Sequence, residues 1–224
     1  MLVRDRMTEK PITALPETTH RQAVEIMREN NIHHLPIMDR NGKLVGIVVE
    51  EDLLRAQPSP ATTLSIYEIH SLLSRLQLKQ IMQHPVQTVA GDCPLEEAAR
   101  LMYNQNIGCL PVMEDNELVG IITDTDIFQA FMGLLGGGQE GARFTLRLAD
   151  KPGMLAQVAK AVADAGGNII SATAWRSTSH EDAYITIKER GAVFSQLMEA
   201  LQNLDVEIVD ARERVDCPSQ KFGS

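Results

Sequence analysis

The feature that most constrains this chain is an internal repeat. The stretch AVEIMRENNIHHLPIMDRNGKLVGIVVEEDLL, which begins at Ala23, returns from Ala98 as AARLMYNQNIGCLPVMEDNELVGIITDTDIF. Ala23, Met27, Asn31, Ile32, Leu35, Pro36 and Met38 recur 75 residues later as Ala98, Met102, Asn106, Ile107, Leu110, Pro111 and Met113. After a one-residue deletion, Leu44-Val45-Gly46-Ile47 recurs as Leu118-Val119-Gly120-Ile121. So many matches in order imply two copies of one supersecondary unit.

Each copy has the same local pattern. An extended segment (Pro11 to Leu15; Pro85 to Val89) precedes a helix marked by apolar residues at helical spacing (Ala23, Ile26, Met27; Ala98, Leu101, Met102). A short strand, a polar turn and a second strand follow, and a last helix opens at Glu50 and at Asp124. This order predicts a mixed α/β unit with one sheet face to bury, and two such units can cover each other. Between the copies, Gln57-Pro58-Ser59-Pro60-Ala61 is a breaker-rich connection, and Ile66, Ile69, Leu72, Leu73 and Leu76 then share one helical face. After the second copy, the run from Gly136 to Gly141 reads as a linker.

From Arg143 the pattern changes. Phe144, Leu146 and Leu148 alternate as a strand, Asp150-Lys151-Pro152-Gly153 turns into a helix striped by Leu155, Val158, Ala159 and Val162, and two strands, a helix and a last strand follow. The order βαββαβ predicts a four-stranded antiparallel sheet with two helices on one face. The free face and edges make a homodimer the expected state. The boundaries are placed at 1–56, 57–79 for the connection with its amphipathic helix, 80–135, 136–141 for the glycine-rich linker, 142–213, and a tail at 214–224 that is expected to be disordered from Asp216.

The formal charge is −9, from 21 Lys+Arg against 30 Asp+Glu, so a polyanionic backbone or membrane surface is repelled and neither nucleic acid nor membrane is an expected partner. Cys93, Cys109 and Cys217 are far apart and form no C-x-x-C pair, which argues against a disulfide framework or a zinc site. With no signal-like start and no apolar run of about 18 residues, a cytoplasmic location is expected.

These motifs carry a resemblance. Residues 7–131, through L-P-I-M-D and L-P-V-M-E followed by G-I-V-V-E-E-D and G-I-I-T-D-T-D, resemble a tandem pair of cystathionine-β-synthase-type (CBS) domains. Residues 143–211, through A-D-K-P-G-M-L and G-N-I-I, resemble a ferredoxin-like ACT domain. Together they are similar to the acetoin-utilization regulatory family. The resemblance implies an α/β (α+β) chain: a CBS pair followed by a βαββαβ ACT module.

The family's adenosine-binding signature is intact in the second copy as Gly120-Ile121-Ile122-Thr123-Asp124-Thr125-Asp126. The Thr123 hydroxyl and free N–H groups at the helix start can hold a phosphate oxygen, and the Asp126 carboxylate can accept both ribose hydroxyls. T-x-x-D before an apolar run is equally a helix-capping box. In the first copy Val49 stands at the threonine position, although Asp52 remains. The resemblance implies that the pseudo-twofold brings His33 and His34 to the Thr123/Asp126 site, leaving the first cleft with the uncharged Gly108 and Cys109. One competent site is therefore expected, with Thr88, Val89, Ile107 and Pro111 around the adenine; a histidine pair by itself is more often incidental than a ligand. In the ACT module the resemblance implies an amino-acid site between two subunits, from Asp150, Pro152, Gly153, Met154 and Leu155 with Asn168 and Ile169. Asp150 would take the α-ammonium, but D-K-P-G is also a good helix start.

The function these residues favour is a non-enzymatic regulator whose ligand is an adenine nucleotide or related adenosyl compound. No catalytic residue, metal or further cofactor is expected; an amino acid and a regulated enzyme are further candidate partners. An interaction subunit with inactive pockets, suggested by Val49, and a Mg²⁺-dependent nucleotide hydrolase using Asp124 and Asp126 are the competing classes.

Overall fold

The computed structural model describes residues 1–58, 63, 65–176 and 182–214. The tail Asp216 to Ser224, expected to be disordered, lies outside these residues, as does most of the Pro58 to Ala61 connection. The chain divides into two compact units, Met1–Phe128 and Gln129–Ser224.

In the first unit, each copy opens on a turn of 3₁₀ helix, at Val3–Asp5 and at Leu78–Gln80, so the repeat extends further toward the N-terminus than the matched stretches. The first copy contains β1 (Thr8–Glu9), α1 (His20–Asn30), β2 (His34–Met38), β3 (Leu44–Val49) and α2 (Glu50–Arg55). Thr19 and Gln22 close a capping box at the start of α1. Asn31, left-handed at φ +51, ends the helix, as an asparagine can when it caps a C-terminus. After α3 (Ile66–Leu73), the second copy supplies α4 (Leu95–Gln105), β4 (Cys109–Glu114), β5 (Glu117–Thr123) and α5 (Asp124–Leu134). Asn106, at φ +52, ends α4 in the same way.

The two hairpins carry the same one-residue register shift, between Ile37 and Met38 and between Val112 and Met113. Their prolines sit inside the strands, buried at Pro36 and Pro111. The extended segments expected as full strands contribute one parallel bridge each, Ala14 to Ile37 and Val89 to Val112. Ala23, Met27, Leu35, Ile37, Val48 and Leu53 form the core of the first copy. Ile47, Cys109 and Ile121 join the two copies.

The second unit contains β6 (Ala142–Ala149), α6 (Met154–Asp164), β7 (Asn168–Arg176), β8 (Asp182–Arg190), α7 (Phe194–Gln202) and β9 (Val206–Arg212). Its antiparallel sheet has the order β7-β8-β6-β9. Phe144, Leu146, Ile185 and Ile187 face Val158, Val162, Leu197 and Leu201 of the two helices in one core. Gly136, first residue of the glycine-rich run, is held: the Lys188 ammonium donates to its carbonyl at 2.9 Å.

Candidate functional site

Each copy sends its leading segment across to the other. Thr8 and Glu9 pair with Ile121 and Gly120 on β5, while Gln83 exchanges backbone bonds with Ile47 on β3. The conserved spacing of the two G-I motifs serves this crossing sterically. The thioether of Met7 stands where a Cβ on Gly120 would be, and Met82 does the same at Gly46. Gly120, expected beside the nucleotide, therefore packs beneath a crossing strand.

Crossing creates two clefts, each built from both copies. One, of about 560 Å³, sets Thr123, Thr125, Asp126 and Ile121 of the second copy against Lys10, Pro11, Ile12, Ile32, His33 and His34 of the first. The other, of about 710 Å³, sets Ile47, Val49 and Asp52 of the first copy against Gln83, Pro85, Val86, Ile107 and Pro111 of the second. Ile107 and Pro111, expected beside Thr123 and Asp126, thus line the opposite cleft. Thr88 and Val89 line neither; Val89 is spent on backbone bonds to Pro111 and Met113. The exchange moves the whole leading half of a copy and not its imidazoles alone, so Pro11 and Ile12 take the places expected of the second copy's residues.

The capping form of T-x-x-D is present at the Asp126 cleft. Thr123 Oγ1 donates to Asp126 Oδ2 at 2.6 Å, Thr123 N donates to the same oxygen at 2.8 Å, and Asp126 N donates back to Thr123 Oγ1 at 3.2 Å. The neighbouring N–H groups, expected to be free for phosphate, are also engaged. Asp124 N donates to the Gly108 carbonyl at 2.9 Å, and Thr125 N to Asp124 Oδ1 at 2.6 Å. What this cleft offers an anion is therefore side-chain chemistry: the Lys10 ammonium and the imidazoles, with the Thr123 hydroxyl able to donate only once its proton turns away from Asp126 Oδ2. Lys10 was missed by motif reading, since it lies outside the matched repeat and reaches the cleft only through the strand crossing.

His33 and His34 border both clefts. The His33 ring meets Glu50 Oε2 at 2.7 Å, with both side chains largely exposed. His34 is half-buried. Burial lowers its pKa below the ordinary histidine value; Asp124 opposes this, and His33 adds to it. The Asp52 cleft is thus not left to Gly108 and Cys109 alone, for both histidines and Arg55 line it as well. Arg55, however, is paired with Glu51 at 2.7 Å, and Glu50, Glu51 and Asp52 all border this cleft. Asp52 itself accepts from Val49 N at 3.0 Å and from the Gln83 amide on both carboxylate oxygens at 2.9 Å.

In the second unit, the residues singled out for an amino acid separate into two groups. Ala149 pairs with Asp182 at one end of the sheet, while Asn168 pairs with Arg190 at the other. Asp150 and Asn168 are thus a full strand apart, roughly 25 Å at about 3.3 Å per residue. Asp150, read as an acceptor for an α-ammonium, is already paired with Arg176 at 2.5 Å. Gly153 is left-handed at φ +89 as the N-cap of α6, a conformation that favours glycine. Met154 and Ile169 pack on the core, leaving Pro152, Leu155 and Asn168 exposed.

The hairpin–helix repeat with crossed clefts, followed by a βαββαβ sheet, defines a tandem CBS pair with an ACT domain. A CBS domain model matches residues 3–59 and 78–133, and an ACT domain model matches residues 143–206. The chain belongs to the CBS-domain proteins. It is similar to a protein named for acetoin utilization (AcuB) from Vibrio cholerae, at 40% identity and a TM-score of 0.51, over 60% of this chain and 93% of that one. The CBS domain pair of protein MJ0100, solved with 5′-methylthioadenosine and S-adenosyl-L-methionine, is 34% identical with a TM-score of 0.50, over 59% of this chain and 97% of that one. A CBS domain-containing protein of Dictyostelium discoideum is 31% identical over 60% of this chain and 94% of its own length. An L-aspartate semialdehyde sulfurtransferase of Methanocaldococcus jannaschii is 35% identical over 59% of this chain, which spans only 23% of that enzyme. Among the described residues, no helix is long and apolar enough to cross a membrane.

Proposed function

We propose that this chain is a non-enzymatic, ligand-sensing regulator that binds one adenine nucleotide, or a related adenosyl compound, in the Asp126 cleft. The observation that carries the reading is the crossed geometry, which sets the Thr123 hydroxyl and the Asp126 carboxylate opposite Lys10 and His34. Asp126 suits the ribose hydroxyls and the cationic side suits phosphate. The adenosyl ligands held by the MJ0100 pair support the same ligand class here. Binding between two copies would favour one relative arrangement of them, and it is the differential affinity that shifts the population. An amino-acid site in the ACT domain is a further part of the reading. Because Asp150 and Asn168 lie at opposite ends of one sheet, that site requires a second copy of the chain.

Calorimetry with AMP, ATP and S-adenosylmethionine, run beside a phosphate-release assay, tests the proposal. Binding near one equivalent without turnover is the expected result. Turnover returns the chain to the enzymes, and the absence of any binding leaves an interaction subunit.

A further inference from the structure

We infer that Gln83 occupies the ribose position of the Asp52 cleft, so that this cleft is closed to nucleosides by a side chain of its own. The inference rests on reading the Asp126 cleft as a nucleoside site, since it is the comparison between the two that assigns Gln83 its part.

Asp52 and Asp126 hold equivalent places, each in the first turn of a helix that follows the second hairpin strand. Each strand is crossed by the other copy's leading segment, Thr8 lying against Ile121 and Gln83 against Ile47. Thr8 and Gln83 are therefore the residues that the crossing delivers beside the two carboxylates. Their side chains differ in reach. The Gln83 amide spans to Asp52 and donates to Oδ1 and Oδ2, both at 2.9 Å. With both oxygens 2.9 Å from one nitrogen, a single amide hydrogen is shared between them, so the Gln83 amide sits astride the carboxylate where the hydroxyls of a vicinal ribose diol would have to approach. Thr8 has one short hydroxyl stem, and Asp126 Oδ1 accepts no hydrogen bond among the described residues.

A nucleoside entering the Asp52 cleft must first displace the Gln83 amide from both carboxylate oxygens, which costs about tenfold in affinity. Val49 adds a second handicap that acts only on phosphorylated ligands, because it supplies no hydroxyl to the phosphate and leaves the ribose position untouched. The two effects can be separated by the choice of ligand.

The experiment is adenosine binding by calorimetry to the full chain and to Q83A, with stoichiometry as the readout; adenosine carries no phosphate and reports the ribose position alone. Wild type should bind one equivalent and Q83A two, and Q83A/D52N should return to one. AMP should gain less than adenosine at the Asp52 cleft of Q83A, because Val49 supplies no hydroxyl to its phosphate; the retained Asp126 site also shows that the variant is folded. Wild type at two equivalents, or Q83A still at one, overturns the inference. Wild type at zero with Q83A gaining one leaves Gln83 as the plug while removing the Asp126 reading. Zero in both removes both.

Discussion

Thr123 Oγ1 donates to Asp126 Oδ2 at 2.6 Å, whereas the equivalent pair of the first copy is joined only by the backbone N–H of Val49. The threonine closes the cap of α5, and its hydroxyl can donate to a phosphate only when its proton leaves Asp126. Thr123→Val converts the second copy to the pattern of the first. Loss of the cap should cost about 1 kcal/mol of stability, read by urea unfolding. AMP affinity should fall about tenfold more than adenosine affinity, since only the phosphate uses the hydroxyl. Equal losses for the two ligands would show that Thr123 acts through the cap alone.

The state of His34 gives a pH dependence with a definite sign. Burial holds its pKa below the ordinary value of 6.5, so in the free protein the ring is mostly neutral at that pH and more so above it. A phosphate beside it favours the imidazolium and raises the pKa in the complex, so binding takes up a proton. AMP affinity should thus rise as pH falls from about 8 to about 6, while adenosine affinity stays flat. H34N should flatten the AMP profile. For the unliganded protein the depressed pKa means that the unfolded chain binds the proton more readily. The His34 contribution to stability is accordingly complete above pH 6.5 and declines as pH falls below it.

Gly120 and Gly46 separate packing from ligand contact. A Cβ at Gly120 meets the Met7 side chain and the Thr8 carbonyl, while one at Gly46 meets Met82. Gly120→Ala should destabilise the first unit by roughly 1–3 kcal/mol through overpacking, measured as a lower unfolding midpoint. Met7→Ala in the G120A background should recover part of that loss by making room. If G120A weakened nucleotide binding at unchanged stability, the glycine would be a ligand contact after all.

Much of this architecture was legible because a repeat compares a chain with itself. Asn31 and Asn106 end their helices alike, Leu35 and Leu110 are both fully buried, and the alternation of Phe144, Leu146 and Leu148 marks a one-sided strand. The clefts were less legible, since their partners come from segments far apart in the sequence. Thr123 and Asp126 could be read within one turn, and the histidines placed by the pseudo-twofold. Ile107, Pro111 and Lys10 could not be placed without knowing that β1 crosses to β5. Gly120 reads as a motif residue until Met7 is seen to fill the space beside it.

Composition also misleads at the glycine-rich run, whose first residue is pinned. Lys188 is 6% exposed although it alternates with the core residue Ile187 and so faces away from α6 and α7. It is covered by the chain just after α5: Nζ donates to the Gly136 carbonyl at 2.9 Å, and the Ser171 hydroxyl donates to the Leu135 carbonyl at 3.2 Å. Both acceptors lie just past the C-terminus of α5, where carbonyls lack intrahelical partners and a cation is favoured. Lys188→Met keeps most of the packed stem but leaves the Gly136 carbonyl with only the longer bond from Gln139 N at 3.3 Å. The expected loss is about 1 kcal/mol in the unfolding of the second unit. Amide exchange should quicken across 135–141 and remain unchanged at the centre of β6. A free linker would instead exchange fast in wild type and be indifferent to the substitution, so the two descriptions part on a single exchange measurement.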